Sequence, residues 1–163
     1  MDLSWVTSRL AVGGYFDMED AALLARDLGI DRVVDLRNEC CDDEEILRRH
    51  GVVLLKLPTE DRCAVSQEKL DEGVAWVEAQ LGAGRRVFIH CHHGIGRSAL
   101  LALCVLVFRG EDPLQAMALL KRARRQASPS PEQLEAFRTW VSRRARAFPV
   151  PSLDALGRIA WAA

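Results

Sequence analysis

Nine residues, His90-Cys91-His92-His93-Gly94-Ile95-Gly96-Arg97-Ser98, restrict this chain more than any other feature because of what stands on either side of them. Arg86-Val87-Phe88-Ile89 before them reads as a buried strand, and Ala99 to Leu106 after them reads as a helix with almost no polar face. The nine residues are therefore a strand-to-helix turn. Its two glycines permit backbone angles that point successive N–H groups inward as a concave nest, and the helix N-terminus adds partial positive charge to the same spot. A phosphate-sized dianion fits there, bound by the turn through His92, His93, Gly94, Ile95 and Gly96, with Arg97 gripping two oxygens as a fork. The same field favours Cys91 as a thiolate. A lone cysteine is usually a small buried hydrophobe and a lone arginine usually solvated. Their joint placement in one short turn is what points to chemistry.

The turn implies a sheet, and the rest of the chain supplies one. Leu3 to Val12 reads as a strand or strand pair ended by Gly13-Gly14, Arg32 to Leu36 as a core strand, and Val52 to Leu57 as another that Pro58 ends. Between them, Asp17 is expected to cap a helix over Met18 to Leu28, and Asp42-Asp43-Glu44-Glu45 forms the acidic first turn of a short helix ending near His50. Ser66 caps a helix over Gln67 to Leu81 with an inner stripe of Leu70, Val74, Val77 and Leu81. Two later helices begin at Asp112-Pro113-Leu114-Gln115 and Ser130-Pro131-Glu132-Gln133, each with a cap, a first-turn proline and a glutamine placed to complete a capping box. Strands alternating with helices predict a single α/β domain with a central, mainly parallel sheet of about five strands flanked by helices. The domain spans residues 1–148. Residues 149–163 form a C-terminal tail whose Leu153, Leu156, Ile159 and Trp161 are expected to pack on the domain.

Hydrolysis of a phosphate ester by a thiolate needs a proton for the leaving oxygen and later a base for water, and one carboxyl group can serve both steps. That acid must come from another loop, since the nest has to be positive. Leu57-Pro58-Thr59-Glu60-Asp61-Arg62 follows a strand and should open at the same sheet edge as Cys91, which makes Glu60 and Asp61 the candidates. Ser98 is placed to donate its hydroxyl to the Cys91 sulfur. His90, at the strand end, is expected to support the loop through hydrogen bonds, and the side chains of His92 and His93 to line the mouth. Asp35, Arg37 and Glu39 form a second polar cluster, expected to be chiefly structural pairing with a share in one pocket wall.

The nine residues match the signature H-C-x-x-G-x-x-R-S, and the chain from about Leu3 to Phe148 resembles the cysteine-dependent protein phosphatases, most of all the short dual-specificity, VH1-like branch found in bacteria as well as eukaryotes. Leu10-Ala11-Val12-Gly13-Gly14, Val33-Val34-Asp35-Leu36-Arg37 and Gln133-Leu134-Glu135-Ala136-Phe137 fit the element order of that family. The resemblance implies a phosphocysteine mechanism without a cofactor, and Asp61, by its position before the cysteine, as general acid. It implies phosphorylated proteins as substrates, on tyrosine, serine or threonine. Lipid-directed relatives tend to carry lysines inside the turn, where this chain has His92 and Ile95, which argues against phosphoinositides among the small phosphorylated alternatives. A rhodanese-like sulfur transferase and an inactive phosphate-binding module are the rivals from other classes.

Five cysteines at spacings that fit neither a disulfide framework nor a zinc site suggest a reducing, cytoplasmic setting, as does an N-terminus without signal-peptide features. For a redox partner of an oxidised Cys91 the candidates are Cys63, two residues after Asp61, and Cys40 with Cys41 after a core strand, with Cys63 narrowly favoured because its loop must approach Cys91. No metal is implied, and the adjacent His92 and His93 rings would diverge if the backbone there is extended. Residues 1 to 80 carry 18 acids and 9 bases, and residues 81 to 163 carry 5 acids and 13 bases. The runs Lys121, Arg122, Arg124, Arg125 and Arg143, Arg144, Arg146 read as solvated helix faces, so no nucleic-acid partner is expected. No apolar run reaches the roughly 20 residues of a membrane span.

Overall fold

The computed structural model describes residues 1–163. Its strands are β1 (Leu3–Trp5), β2 (Leu10–Gly13), β3 (Arg32–Arg37), β4 (Val53–Thr59) and β5 (Val87–His90), in the sheet order β1-β2-β5-β3-β4. The β1–β2 pair is antiparallel, and every other pair is parallel. β5 enters between β2 and β3, so its C-terminal end is surrounded by the loops that leave its neighbours. In an open parallel sheet this is where ligands bind.

Alternation along the strands divides the core into two layers. Leu10, Val12, Val34, Leu36, Val87 and Ile89 face the larger one, with α3 (Gln67–Gly82), α4 (Arg97–Phe108), α5 (Pro113–Ala123) and α6 (Pro131–Arg144). Ala11, Val33 and Phe88 face the smaller one, with α1 (Ala21–Arg26) and α2 (Glu44–Arg49). α4 is packed by α3, α5 and α6 as well as the sheet, and eleven of its twelve residues are buried. That is why its sequence is apolar all round. The last helix, α7 (Leu153–Ala160), is capped by Ser152 and packs on α5 and α6, with Leu156 and Ala160 in the larger core. Lys121 of α5 donates to the Ala160 carbonyl at 2.7 Å, and the Trp161 indole to Pro129 at 2.7 Å.

Several local expectations are corrected. Asp17 makes no side-chain cap: its carbonyl accepts from Asp20 N–H in a tight 3-10 turn over Met18–Asp20, and α1 stops at Arg26. Pro58 does not end its strand. β4 runs through it to Thr59 because β4 is an edge strand, where a missing N–H breaks no ladder. Gln133 completes the capping box of α6, but α5 has only the Asp112 half. No helix is long and apolar enough to cross a membrane.

Candidate active site

β5 delivers Cys91 to the floor of the nest, where it is 3% exposed. Its sulfur accepts from Gly94 N–H at 3.3 Å and lies 3.2 Å from the Ser98 hydroxyl. Gly94 has φ +67, and a Cβ there would come within 2.4 Å of the Gly13 backbone, so the loop can rest on β2 only if this residue is glycine. His90 is fully buried against Phe16 and Phe88, with Nδ1 3.2 Å from the Cys91 carbonyl and Nε2 2.6 Å from Asp42 Oδ2. Arg37 spans the other side of this network, 3.0 Å from both Asp35 and Asp42. Burial opposes the charge of Asp35, but the Arg37 guanidinium and backbone outweigh it and hold the carboxyl below its usual range. Asp35, Asp42 and His90 are near enough to share a cation, and the Arg37 guanidinium is a cation already bonded to both carboxylates.

Arg97 is 1% exposed, and its hydrogens are unevenly committed. Nη1 donates to Glu39 Oε1 and to the Thr59 carbonyl, both at 2.8 Å, and Nη2 donates to Glu39 Oε2 at 2.9 Å. Nη2 also lies 3.3 Å from Asp61 Oδ1, whereas the buried Nε has no partner. The edge formed by Nε and the second Nη2 hydrogen is thus the one available to a phosphate, in the side-on geometry that an arginine fork offers. The Asp35, Arg37 and Glu39 cluster therefore splits. Asp35 and Arg37 support His90, while Glu39 holds Arg97 from behind. The Arg97 hydrogen bonds bring the Glu39 carboxyl from its ordinary 4.5 down to about 2. A depressed carboxyl stabilises the fold above its unfolded value and loses that contribution as pH falls through the folded one, here between 4.5 and about 2. Above about pH 5 the fork stays ionised, and Glu39 does not set an acid limb of the rate.

Two residues support the site in ways the sequence did not indicate. Arg124 belongs to a run expected to be solvated, yet it is 1% exposed. It donates to the carbonyls of Gly94 (2.8 Å) and His93 (2.7 Å), to Asp2 Oδ2 (2.9 Å) and to Ser4 Oγ (3.2 Å), tying the signature turn to the N-terminal segment. It follows the last residue of α5, where the chain turns extended, and so points inward while Arg122 and Arg125 stay exposed. Gln133 is the second. Beyond its capping bond it donates to the Cys63 carbonyl at 3.2 Å, joining α6 to the loop of Asp61, and it occupies the space that a side chain at Gly96 would need. Replacing Arg124 with glutamine should lower unfolding stability by on the order of 3 kcal/mol, since it strips a buried guanidinium of several acceptors. It should also weaken vanadate binding, with lysine failing to restore either because it cannot span both carbonyls and Asp2. Asp2→Asn, at a half-exposed partner, should cost less than about 1 kcal/mol. Urea titration and vanadate inhibition of the three variants check this.

A cavity of about 330 Å³ opens over Cys91, lined also by Asp61, Arg62, His93, Ile95, Gly96 and Arg97, with Ser128, Ser130 and Gln133 opposite. Asp61 reaches it and Glu60 does not. The His92 ring also stays outside: it stacks on Tyr15 at 5.0 Å and meets the His93 ring edge-on at 4.2 Å, so the two histidines do not diverge. The turn bends here instead of extending, and Tyr15 N–H bonds the His92 carbonyl. Cys63 is half-buried outside the lining. Burial, with the nearby acids Glu60, Glu132 and Asp61, raises its thiol. Cys104 lies inside the core, far along α4.

Residues 16–111 match the family model described as "Tc-R-P: Polymorphic toxin system, DSP-PTPase phosphatase". The chain belongs to this DSP-PTPase phosphatase family. It is a cysteine-dependent phosphatase, and the sulfur-transferase and inactive-module alternatives fall away. No curated protein matches the sequence. Among solved structures, the phosphatase is similar to Tk-PTP in its active form, with 29% identity, a TM-score of 0.81, and 87% of this chain and 97% of the other covered. PTPMT1 in complex with PI(5)P has 22% identity and a TM-score of 0.82, over 89% and 98% of the two chains. Human DUSP28 has 23% identity and a TM-score of 0.77, over 88% and 95%. The last two likenesses concern the fold.

Proposed function

We propose that this phosphatase hydrolyses phosphate monoesters through a phosphocysteine on Cys91, with phosphotyrosine and phosphoserine or phosphothreonine side chains of proteins as its substrates. The observation that carries the chemistry is the unpartnered, buried Nε of Arg97, beside a sulfur that already accepts from Gly94 N–H and neighbours the Ser98 hydroxyl. A phosphate bound by the turn from His92 to Gly96 takes Nε and Nη2 of Arg97. The Cys91 thiolate attacks phosphorus as the ester P–O bond breaks, and Asp61 gives its proton to the departing oxygen. Asp61 then removes a proton from water, which attacks the phosphocysteine, and inorganic phosphate leaves. Ser98 donates to the sulfur as the S–P bond breaks. Nothing in these steps calls for a cofactor. A cavity of about 330 Å³ with the exposed Asp61 and Arg62 on its lining supports acceptance of more than one kind of phosphorylated side chain. Five cysteines at spacings that fit no disulfide framework support a reducing, cytoplasmic setting.

Rapid acid quenching of Asp61→Asn during turnover, followed by peptide mapping, should recover a phosphate on the peptide containing Cys91. Phosphate on any other residue, or burst kinetics without a cysteine adduct, would refute the mechanism.

A further inference from the structure

Arg62 is the one non-glycine residue of the chain with a positive φ, +66, a left-handed conformation that β-carbon-bearing residues adopt at a cost. Asp61 Oδ1 accepts from Arg62 N–H at 2.9 Å and Cys63 N–H bonds the Glu60 carbonyl at 3.1 Å, so a local turn imposes the conformation. Backbone strain of this kind gathers where a side chain must be aimed. Arg62 lines the cavity over Cys91, and its guanidinium makes neither an ion pair nor a hydrogen bond within the protein.

The charge balance of the cavity gives that guanidinium a task. Arg97 already faces two carboxylates, Glu39 and Asp61. Arg62 is the only other arginine or lysine in the lining, and no acid of the protein meets it. The transferred phosphoryl group is met by the nest and by Arg97. In the mechanism proposed, Asp61 addresses the leaving oxygen, and Arg62 is the next residue on the same turn. Elsewhere in the lining the Ser128 hydroxyl and the His93 ring have no hydrogen-bond partner, and Ile95 is the one aliphatic side chain.

Resting on the phosphatase reading above, we propose that Arg62 determines specificity by binding a second anionic group on the leaving side of the substrate. The preferred substrates are then monoesters carrying another phosphate or a carboxylate near the scissile one. An acidic or doubly phosphorylated peptide and a small polyol bisphosphate share this chemistry, and paired substrates separate them.

The test measures kcat/KM on two pairs: a phosphotyrosine peptide with neutral flanks against the same peptide with an adjacent aspartate, and an inositol monophosphate against an inositol bisphosphate. The wild type should favour the doubly anionic member of at least one pair by about tenfold, the scale of one charge-assisted contact. The pair with the larger ratio names the source of the group. Arg62→Gly suits the left-handed backbone, so folding is preserved, and it should bring the ratio close to one, while Arg62→Lys keeps most of it. Equal rates within both pairs in the wild type would overturn the proposal. So would Arg62→Gly slowing both members of a pair equally, which is simple steering of anions. If no substrate is hydrolysed and Cys91 never carries phosphate, the phosphatase reading fails with it.

Discussion

Cys91→Ser should lower kcat by about 10⁴ or more on every substrate while leaving the fold and the phosphate site in place. The exchange swaps one small atom for another at a buried position whose surroundings, Gly94 N–H and the Ser98 hydroxyl, can bond oxygen as well as sulfur. Only the nucleophile is lost, because a serine hydroxyl holds its proton far more tightly and no base in the nest stands ready to take it. Vanadate or phosphate should still bind the variant, since the grip belongs to the turn and to Arg97. Turnover by the wild type should withstand EDTA. A serine variant with appreciable activity, or a wild type silenced by chelation, would contradict a cysteine nucleophile acting without metal.

Asp61→Asn should be the second largest effect, a fall of about 10²–10⁴ in the hydrolysis of alkyl phosphates, which is what a positioned general acid supplies. Esters of acidic phenols should fall much less, because their leaving oxygen departs without a proton. The limb on which rate decreases with rising pH should vanish, since asparagine has no proton to lose. Glu60→Gln serves as the control. Both residues follow the same strand, but Asp61 lines the cavity and approaches Arg97 at 3.3 Å. If Glu60→Gln shows the selective loss and Asp61→Asn does not, the acid is one residue earlier and the loop rearranges on binding substrate.

What is local was legible in the order of residues. The strand, the glycine-containing turn and the apolar helix around Cys91 follow from neighbouring residues, because hydrophobic periodicity, glycine freedom and helix capping are short-range effects. So do most element positions and the parallel character of the sheet. Which polar residues meet across the fold depends on long-range packing. Glu39 comes from the end of β3 and reaches Arg97, 58 positions away, and Asp42 leaves its acidic run to bond the buried His90 while its neighbour Asp43 caps α2. Arg124 is indistinguishable in sequence from the solvated arginines beside it. It is buried because α5 ends beneath the signature turn, where unpaired carbonyls of His93 and Gly94 and the carboxylate of Asp2 await a donor. Periodicity reports which face of an element is apolar. A single charged residue satisfied by partners from remote segments has no period, so its place becomes visible only when the chain has folded.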